Sequence, residues 1–123
     1  SWGEGGYAAV WVDPANDWIY RHLNRAAARM EGIARAGDGG DQLRARALRQ
    51  AGRELLLAQA SDWAFIMRTG TLVPYAVRRT ELHLERFGRL ADGLGGGGIV
   101  ATELEQFESL DPIFPELDPR LFT

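Results

Sequence analysis

Cysteine is absent from the 123 residues, so no disulfide staples this chain, no thiolate binds zinc and thiol redox chemistry is closed to it. That absence points toward a cytoplasmic setting. Lysine is absent too: all 14 basic residues are arginine, a usage that fits GC-rich coding better than a separate need for a bidentate guanidinium at every position. Most of these arginines are read as solvated. No apolar run approaches the roughly 20 residues that cross a bilayer, and membrane insertion is not expected. With a formal net charge of −3, nucleic acid is not an expected partner either.

Several kinds of catalytic site are missing as well. The sequence holds no strained Gly-x-Ser-x-Gly turn, and the glycine run Gly95 to Gly98 lacks the Lys-Ser/Thr sequel of a phosphate loop. The two histidines, His22 and His83, fall on different predicted helices without metal-ligand spacing to each other or to a third ligand. Both are read as core or interface histidines, and no metal or cofactor is expected. Glu81 and Glu85 share a face with Arg78, Arg86 and Arg89, which describes a solvated, salt-bridged surface and not a catalytic pair.

What is present fits one domain, since 46% hydrophobic residues in 123 suffice for a single sizeable core. Residues Ser1 to Pro14, with Gly3, Gly5 and Gly6, predict an irregular segment. Ile19, Leu23, Ala26, Met30 and Ile33 then recur at helical spacing, with Arg21, Arg25 and Arg29 turned away, up to a stop near Gly37. Asp41 is placed to cap a second helix carrying Leu43, Leu48, Ala51, Leu55 and Ala58. Within it Gly52 is expected where another helix approaches closely. The stretch from Ser61 to Thr69 is apolar nearly all round and predicts a buried helical turn or two, stopped by Gly70.

A third helix begins around Pro74 with Ala76, Thr80, His83, Phe87 and Leu90 inward and Arg78, Arg79, Glu81, Glu85, Arg86 and Arg89 outward. Residues 95–98 are read as a loose linker, and Ile99 to Leu110 as a short fourth helix with Leu104 and Phe107 inward. The tail from Asp111 to Pro115 is extended, because proline disfavours helix before it. The expected fold is therefore all-α: a bundle of three long helices and a fourth short one, packed around Trp63, Phe65, Ile66, Leu55, Phe87 and Met30.

Trp2, Trp11 and Trp18 crowd the first 18 residues beside glycines. A flat ring on a glycine-rich loop suits stacking on a sugar or a partner; internal packing of all three is the other reading. Asp62 stands before Trp63 in the most apolar stretch, where a carboxylate needs either a partner such as a cap or an arginine, or a ligand hydroxyl. Gln59, Ser61 and Arg68 are weaker candidates.

Six segments in order carry a resemblance over nearly the whole chain: Ser1-Trp2-Gly3 with Trp11; Asn16-Asp17-Trp18-Ile19-Tyr20-Arg21-His22; Arg53 to Gln59 followed by Ser61-Asp62-Trp63-Ala64-Phe65-Ile66; Arg68-Thr69-Gly70-Thr71; Tyr75 to Thr80; and Ile113-Phe114-Pro115. Through them the chain is similar to the C-terminal helical domain of family-57 α-glucan branching enzymes. The resemblance implies an upstream barrel of seven strands that carries a Glu nucleophile and an Asp acid/base, both missing here, with this domain lying across its cleft. It implies further that Trp2 and Trp11 line the glucan groove, within a groove-lining segment 1–14, and that Asp62 contacts the sugar. The partners so implied are an α-glucan and the barrel of the same protein.

Leu72 stands where the family pattern has Met, and Pro119 replaces an aromatic; the glycine runs are richer than the pattern. These departures spare the groove residues and leave the choice of glucan open. Two other readings compete: a stand-alone carbohydrate-binding or interaction bundle, and the domain of a family-57 amylase or 4-α-glucanotransferase. The start at Ser1, without Met, is expected of a piece of a longer protein.

Overall fold

The computed structural model describes the backbone of residues 17–69 and 74–123 and the side chains of residues 18–60 and 77–123. Within that range the chain is helical and contains no strand. Four helices follow in order: α1, Asp17–Ala36; α2, Gln42–Thr69; α3, Pro74–Asp92; and α4, Ala101–Leu110.

Helix α1 buries Ile19, Leu23, Ala26, Met30 and Ala34, while Arg21, Arg25 and Arg29 face solvent. It ends because Gly37 takes a left-handed φ of 72°. The Gly37 amide then turns back to donate to the carbonyls of Ile33 and Ala34 at 3.3 and 3.1 Å, a glycine cap. Asp41 starts α2, its Oδ1 accepting from the amides of Leu43 at 2.9 Å and Arg44 at 3.4 Å.

Helix α2 is the longest element, 28 residues, and absorbs the apolar stretch that the sequence pattern treats as a separate turn. No glycine or proline lies between Arg53 and Thr69, so nothing interrupts the i→i−4 ladder. It is also the central helix, covered by α1, α3, α4 and the C-terminal tail, and Ala47, Leu48, Gln50, Ala51, Arg53, Glu54, Leu55 and Ala58 are all buried. Burial on several sides explains why its apolar periodicity is weak beside that of α1 and α3.

Helix α3 places Thr80, His83, Phe87 and Leu90 inward. Its continuation, Gly93–Gly97, is one π-helical turn in which Gly93 and Leu94 are buried. This segment overlaps the run read as a loose linker, and it is closed upon itself, the Gly98 amide donating to the Gly93 carbonyl at 3.2 Å. The absence of side chains permits the tight coil, and Gly96, at φ 128°, takes a conformation that L side chains avoid. Helix α4 buries Leu104 and Phe107. An extended tail then leads to a 3-10 turn, Pro119–Phe122.

The core joins Met30, Leu48, Ala51, Leu55, Phe87, Leu90, Leu94, Leu104 and Phe107. Burying each large aliphatic or aromatic side chain contributes about 1.5–3 kcal/mol before entropy. Leu55, Phe87 and Met30 stand where expected, whereas Trp63, Phe65 and Ile66 fall outside the described side chains. Gly52 does sit at a close approach, but what approaches is the tail and not a helix: a Cβ there would lie 2.8 Å from Leu117 and 2.9 Å from Phe122. No helix among the described residues is long and apolar enough to cross a membrane.

Candidate functional site

The centre of α2 carries three polar residues at helical spacing, Gln50, Arg53 and Glu54, so their side chains project from one face. All three are buried. Opposite them α3 supplies His83, buried, and Arg86, mostly buried, while Asp111 stands at the C-terminal cap of α4. Burial in the bundle interior obliges each of these groups to find a partner.

Gln50 has one possible orientation. Its amide nitrogen donates to Glu54 Oε2 at 3.0 Å and to the carbonyls of Phe107 and Asp111, each at 3.1 Å. Its amide oxygen accepts from Arg53 Nη1 at 2.7 Å. Arg53 then reaches the tail, Nε donating to the Phe114 carbonyl and Nη2 to the Pro115 carbonyl, both at 3.3 Å. Those bonds fix a bend at which Phe114 adopts φ 51°, a conformation a non-glycine residue keeps only when its surroundings enforce it.

On the other side His83 Nδ1 lies 2.8 Å from Glu54 Oε1 and 3.6 Å from Asp111 Oδ2. Arg86 Nη1 donates to Asp111 Oδ2 at 2.6 Å and its guanidinium sits 5.9 Å from the centre of the Phe107 ring. His83 Nε2 is buried without a hydrogen-bond partner. The proton is therefore assigned to Nδ1, where Glu54 accepts it.

Electrostatics divide the two carboxyls. Burial pushes Glu54 above the usual carboxylate range; hydrogen bonds from His83 and Gln50 pull it back, and its hydrogen bond with Asp111 pushes it further up. For Asp111 burial acts in the same upward direction, but the hydrogen bonds with Glu54 and Arg86, and the Arg86 charge, outweigh it and hold the group low. Of the pair, Glu54 is thus the carboxyl that holds a proton to higher pH, and Asp111 the one that ionises first, against Arg86.

Glu54, His83 and Asp111 offer ligand-type atoms within 4.8 Å of one another, a juxtaposition that spacing along the chain did not reveal. Their oxygens are already engaged by Gln50 and Arg86, so the arrangement reads as a hydrogen-bonded network and not as a cation cage. Nor can it cut a glycosidic bond, since Glu54 and His83 have no exposed face. What it does is hold the tail. Arg86 was expected to face outward; it turns in because residues 83, 86, 87 and 90 share one face of α3, and Asp111 meets it there. The expected surface character holds further out, where Arg89 pairs with Glu85 at 3.2 Å and with Glu103 at 2.9 Å.

Of the residues singled out for sugar contact, Trp2 and Trp11 lie outside the described residues. Asp62 belongs to α2, about 12 Å along the helix axis from Glu54, and its side chain is outside the description. The network was missed because its members are far apart in sequence. The available signal was that the polar Gln50 and Glu54 fall in helical register with the apolar positions Ala47, Ala51, Leu55 and Ala58.

Two hollows flank the tail. One, of about 720 Å³, lies between the end of α1, the start of α2 and residues 115–120. The other, about 410 Å³, is almost wholly apolar, lined by Leu56, Phe114, Pro115, Glu116 and Leu117. Beside it Leu110, Ile113 and Phe114 remain exposed.

Comparison with known proteins places this arrangement. A family model described as the C-terminal part of 1,4-α-glucan branching enzyme matches residues 22–122, a span that includes the whole network and Asp62 but not Trp2 or Trp11. Over 94 residues the chain is 39% identical to the 1,4-α-glucan branching enzyme of Thermococcus kodakarensis, covering 76% of this chain and 14% of that protein. The crystal structure of that family-57 enzyme, in complex with glucose, superposes with a TM-score of 0.80 at 34% identity, over 94% of this chain and 22% of the other. The crystal structure of the α-amylase AmyC from Thermotoga maritima gives a TM-score of 0.77 at 48% identity, over 88% of this chain and 21% of the other. The chain thus spans a minor part of each relative's length, and on the family match over most of its residues it belongs to the family of 1,4-α-glucan branching enzyme C-terminal domains.

Proposed function

We propose that this chain serves a retaining 1,4-α-glucan branching enzyme of glycoside hydrolase family 57, closing the acceptor side of a cleft whose catalytic carboxylates lie on another part of the same protein. The observation that carries this reading is the match of residues 22–122 to the C-terminal part of branching enzymes. The exposed apolar ridge of Leu110, Ile113 and Phe114 fits a domain that rests against a larger body.

In the proposed reaction the nucleophilic carboxylate bonds the anomeric carbon of a donor α-1,4 linkage while the acid/base carboxyl protonates the departing 4-oxygen, so that the linkage breaks and the segment stays on the nucleophile. The 6-hydroxyl of an acceptor glucan then attacks the anomeric carbon and displaces that nucleophilic carboxylate, its proton passing to the acid/base group, now itself a carboxylate, and an α-1,6 linkage forms. Transfer wins over hydrolysis when the acceptor is held and water is kept out. Trp2 and Trp11 are the proposed walls of that groove and Asp62 its sugar-binding carboxylate. The absence of cysteine supports a cytoplasmic location.

Incubating the parent protein with linear amylose and following anomeric signals by proton NMR tests this: new α-1,6 linkages are expected. Shortened linear chains alone would replace it with the hydrolytic reading, which the 48% identity to the Thermotoga α-amylase favours. Trp2→Ala is expected to lower transfer about tenfold or more while leaving the circular dichroism unchanged; an unaltered rate would remove Trp2 from the groove.

A further inference from the structure

We propose that Glu54, His83 and Asp111 form a pH-sensitive latch on the C-terminal strap, residues 111–122, which is held tightly to α2 while Glu54 is protonated and loosened when Glu54 ionises. The proposal is independent of which glucan chemistry the parent performs. It starts from geometry: three titratable groups from three elements meet in the interior within 4.8 Å, and one of them, Asp111, is the first residue of the strap.

The side-chain hydrogen bonds that α2 makes to the first residues of the strap pass through the same cluster. Gln50, bonded to Glu54, also holds the Asp111 carbonyl, and Arg53, bonded to Gln50, holds the carbonyls of Phe114 and Pro115. Beyond these, Leu117 and Phe122 press on Gly52, and the 3-10 turn Pro119–Phe122 also packs against α1 and the core. Residues of the strap line both hollows, so its position decides whether either exists.

The charged and titratable groups facing Glu54 are Arg53 on its own helix, His83 and Arg86 on α3, and Asp111 at the end of α4; Glu108, one turn earlier on α4, is paired with Arg46 at 2.6 Å. A protonated Glu54 donates to the Asp111 carboxylate while Arg86 neutralises that carboxylate from the other side. Ionisation removes the shared proton and sets two carboxylates against each other in a buried setting. Because burial first, and Asp111 in addition, raise the Glu54 carboxyl in the closed state, linkage fixes the sign. Closure is fully favoured below the ordinary carboxylate range and is lost as pH rises through the raised value, by about tenfold per pH unit in that window. Asp111, held low, stays ionised throughout and does not contribute there.

Hydrogen exchange read by mass spectrometry on the full chain, from about pH 5 to about pH 9 and corrected for intrinsic rates, tests the latch. Protection of peptides from 111–123 is expected to fall with rising pH, relative to peptides of α1, with a limiting slope of about one decade per unit. In Glu54→Gln, which keeps a donor toward Asp111 but cannot ionise, the strap's protection is expected to be flat across the range; in Asp111→Asn, which removes the opposing charge but not the burial of Glu54, the fall is expected over a narrower pH window. Flat protection in the unaltered protein would overturn the proposal, and so would a slope that persists in Glu54→Gln. Loosening toward acid would equally overturn it. If either variant loses protection in α1 as well, the unaltered protein's slope and the other variant decide.

Discussion

Two layers of the same bundle are equally dry and differently built. Around Met30, Leu48, Phe87 and Leu104 the interior is apolar and its cohesion is non-directional. A turn or two away along α2, Gln50, Arg53, Glu54, His83 and Asp111 are held by named donors and acceptors, each of which leaves another stranded if removed. The difference teaches that burial alone does not say how a region responds to change. An apolar layer tolerates substitutions that keep its volume, whereas a polar layer is satisfied as a unit or not at all.

Breaking the polar layer should have the largest effect. Arg53→Met keeps much of the volume but strands the Gln50 amide oxygen and the carbonyls of Phe114 and Pro115. Its cost is expected at about 3–5 kcal/mol, read from the urea midpoint. A cost under about 1 kcal/mol would mean that water replaces the guanidinium and that the network is not closed. Next comes the seam between the layers: Gly52→Val pushes a side chain into Leu117 and Phe122 and should cost about 1–3 kcal/mol, with exchange accelerated in the strap before it is in α1.

The apolar layer supplies the sharpening control. Leu55→Met, fully buried, should cost less than about 1.5 kcal/mol and show no pH dependence; a cost like that of Arg53→Met would erase the distinction. Smallest of all, Asp41→Ala removes the cap of α2, far from both layers, and should cost about 1 kcal/mol in thermal unfolding.

The helices were legible because each obeys a local rule. Gly37 and Asp41 mark ends through backbone and cap chemistry, and Leu23, Ala26 and Met30 mark a face through period, none of which needs knowledge of the rest of the chain. Arg86 shows where local reading stops. Its neighbours on α3 suit a solvated surface, and only Asp111, 25 residues later, draws it inward. Glu54 and His83, 29 residues apart, meet for the same non-local reason. The proposed groove residues differ again: as sugar contacts Trp2, Trp11 and Asp62 rest on resemblance, because a role toward a ligand or another part of a protein is not written in local periodicity or capping.

The notch at Gly52 also constrains how this chain can change. With Leu117 and Phe122 where they stand, a Cβ at 52 would meet both side chains at under 3 Å and push them aside. A side chain at 52 would require those two strap residues to shift or to be smaller, and a shorter strap would leave position 52 open. Positions 52, 117 and 122 therefore fit one another as a unit, and a strap grafted onto another bundle would keep its seat only where position 52 leaves room for it.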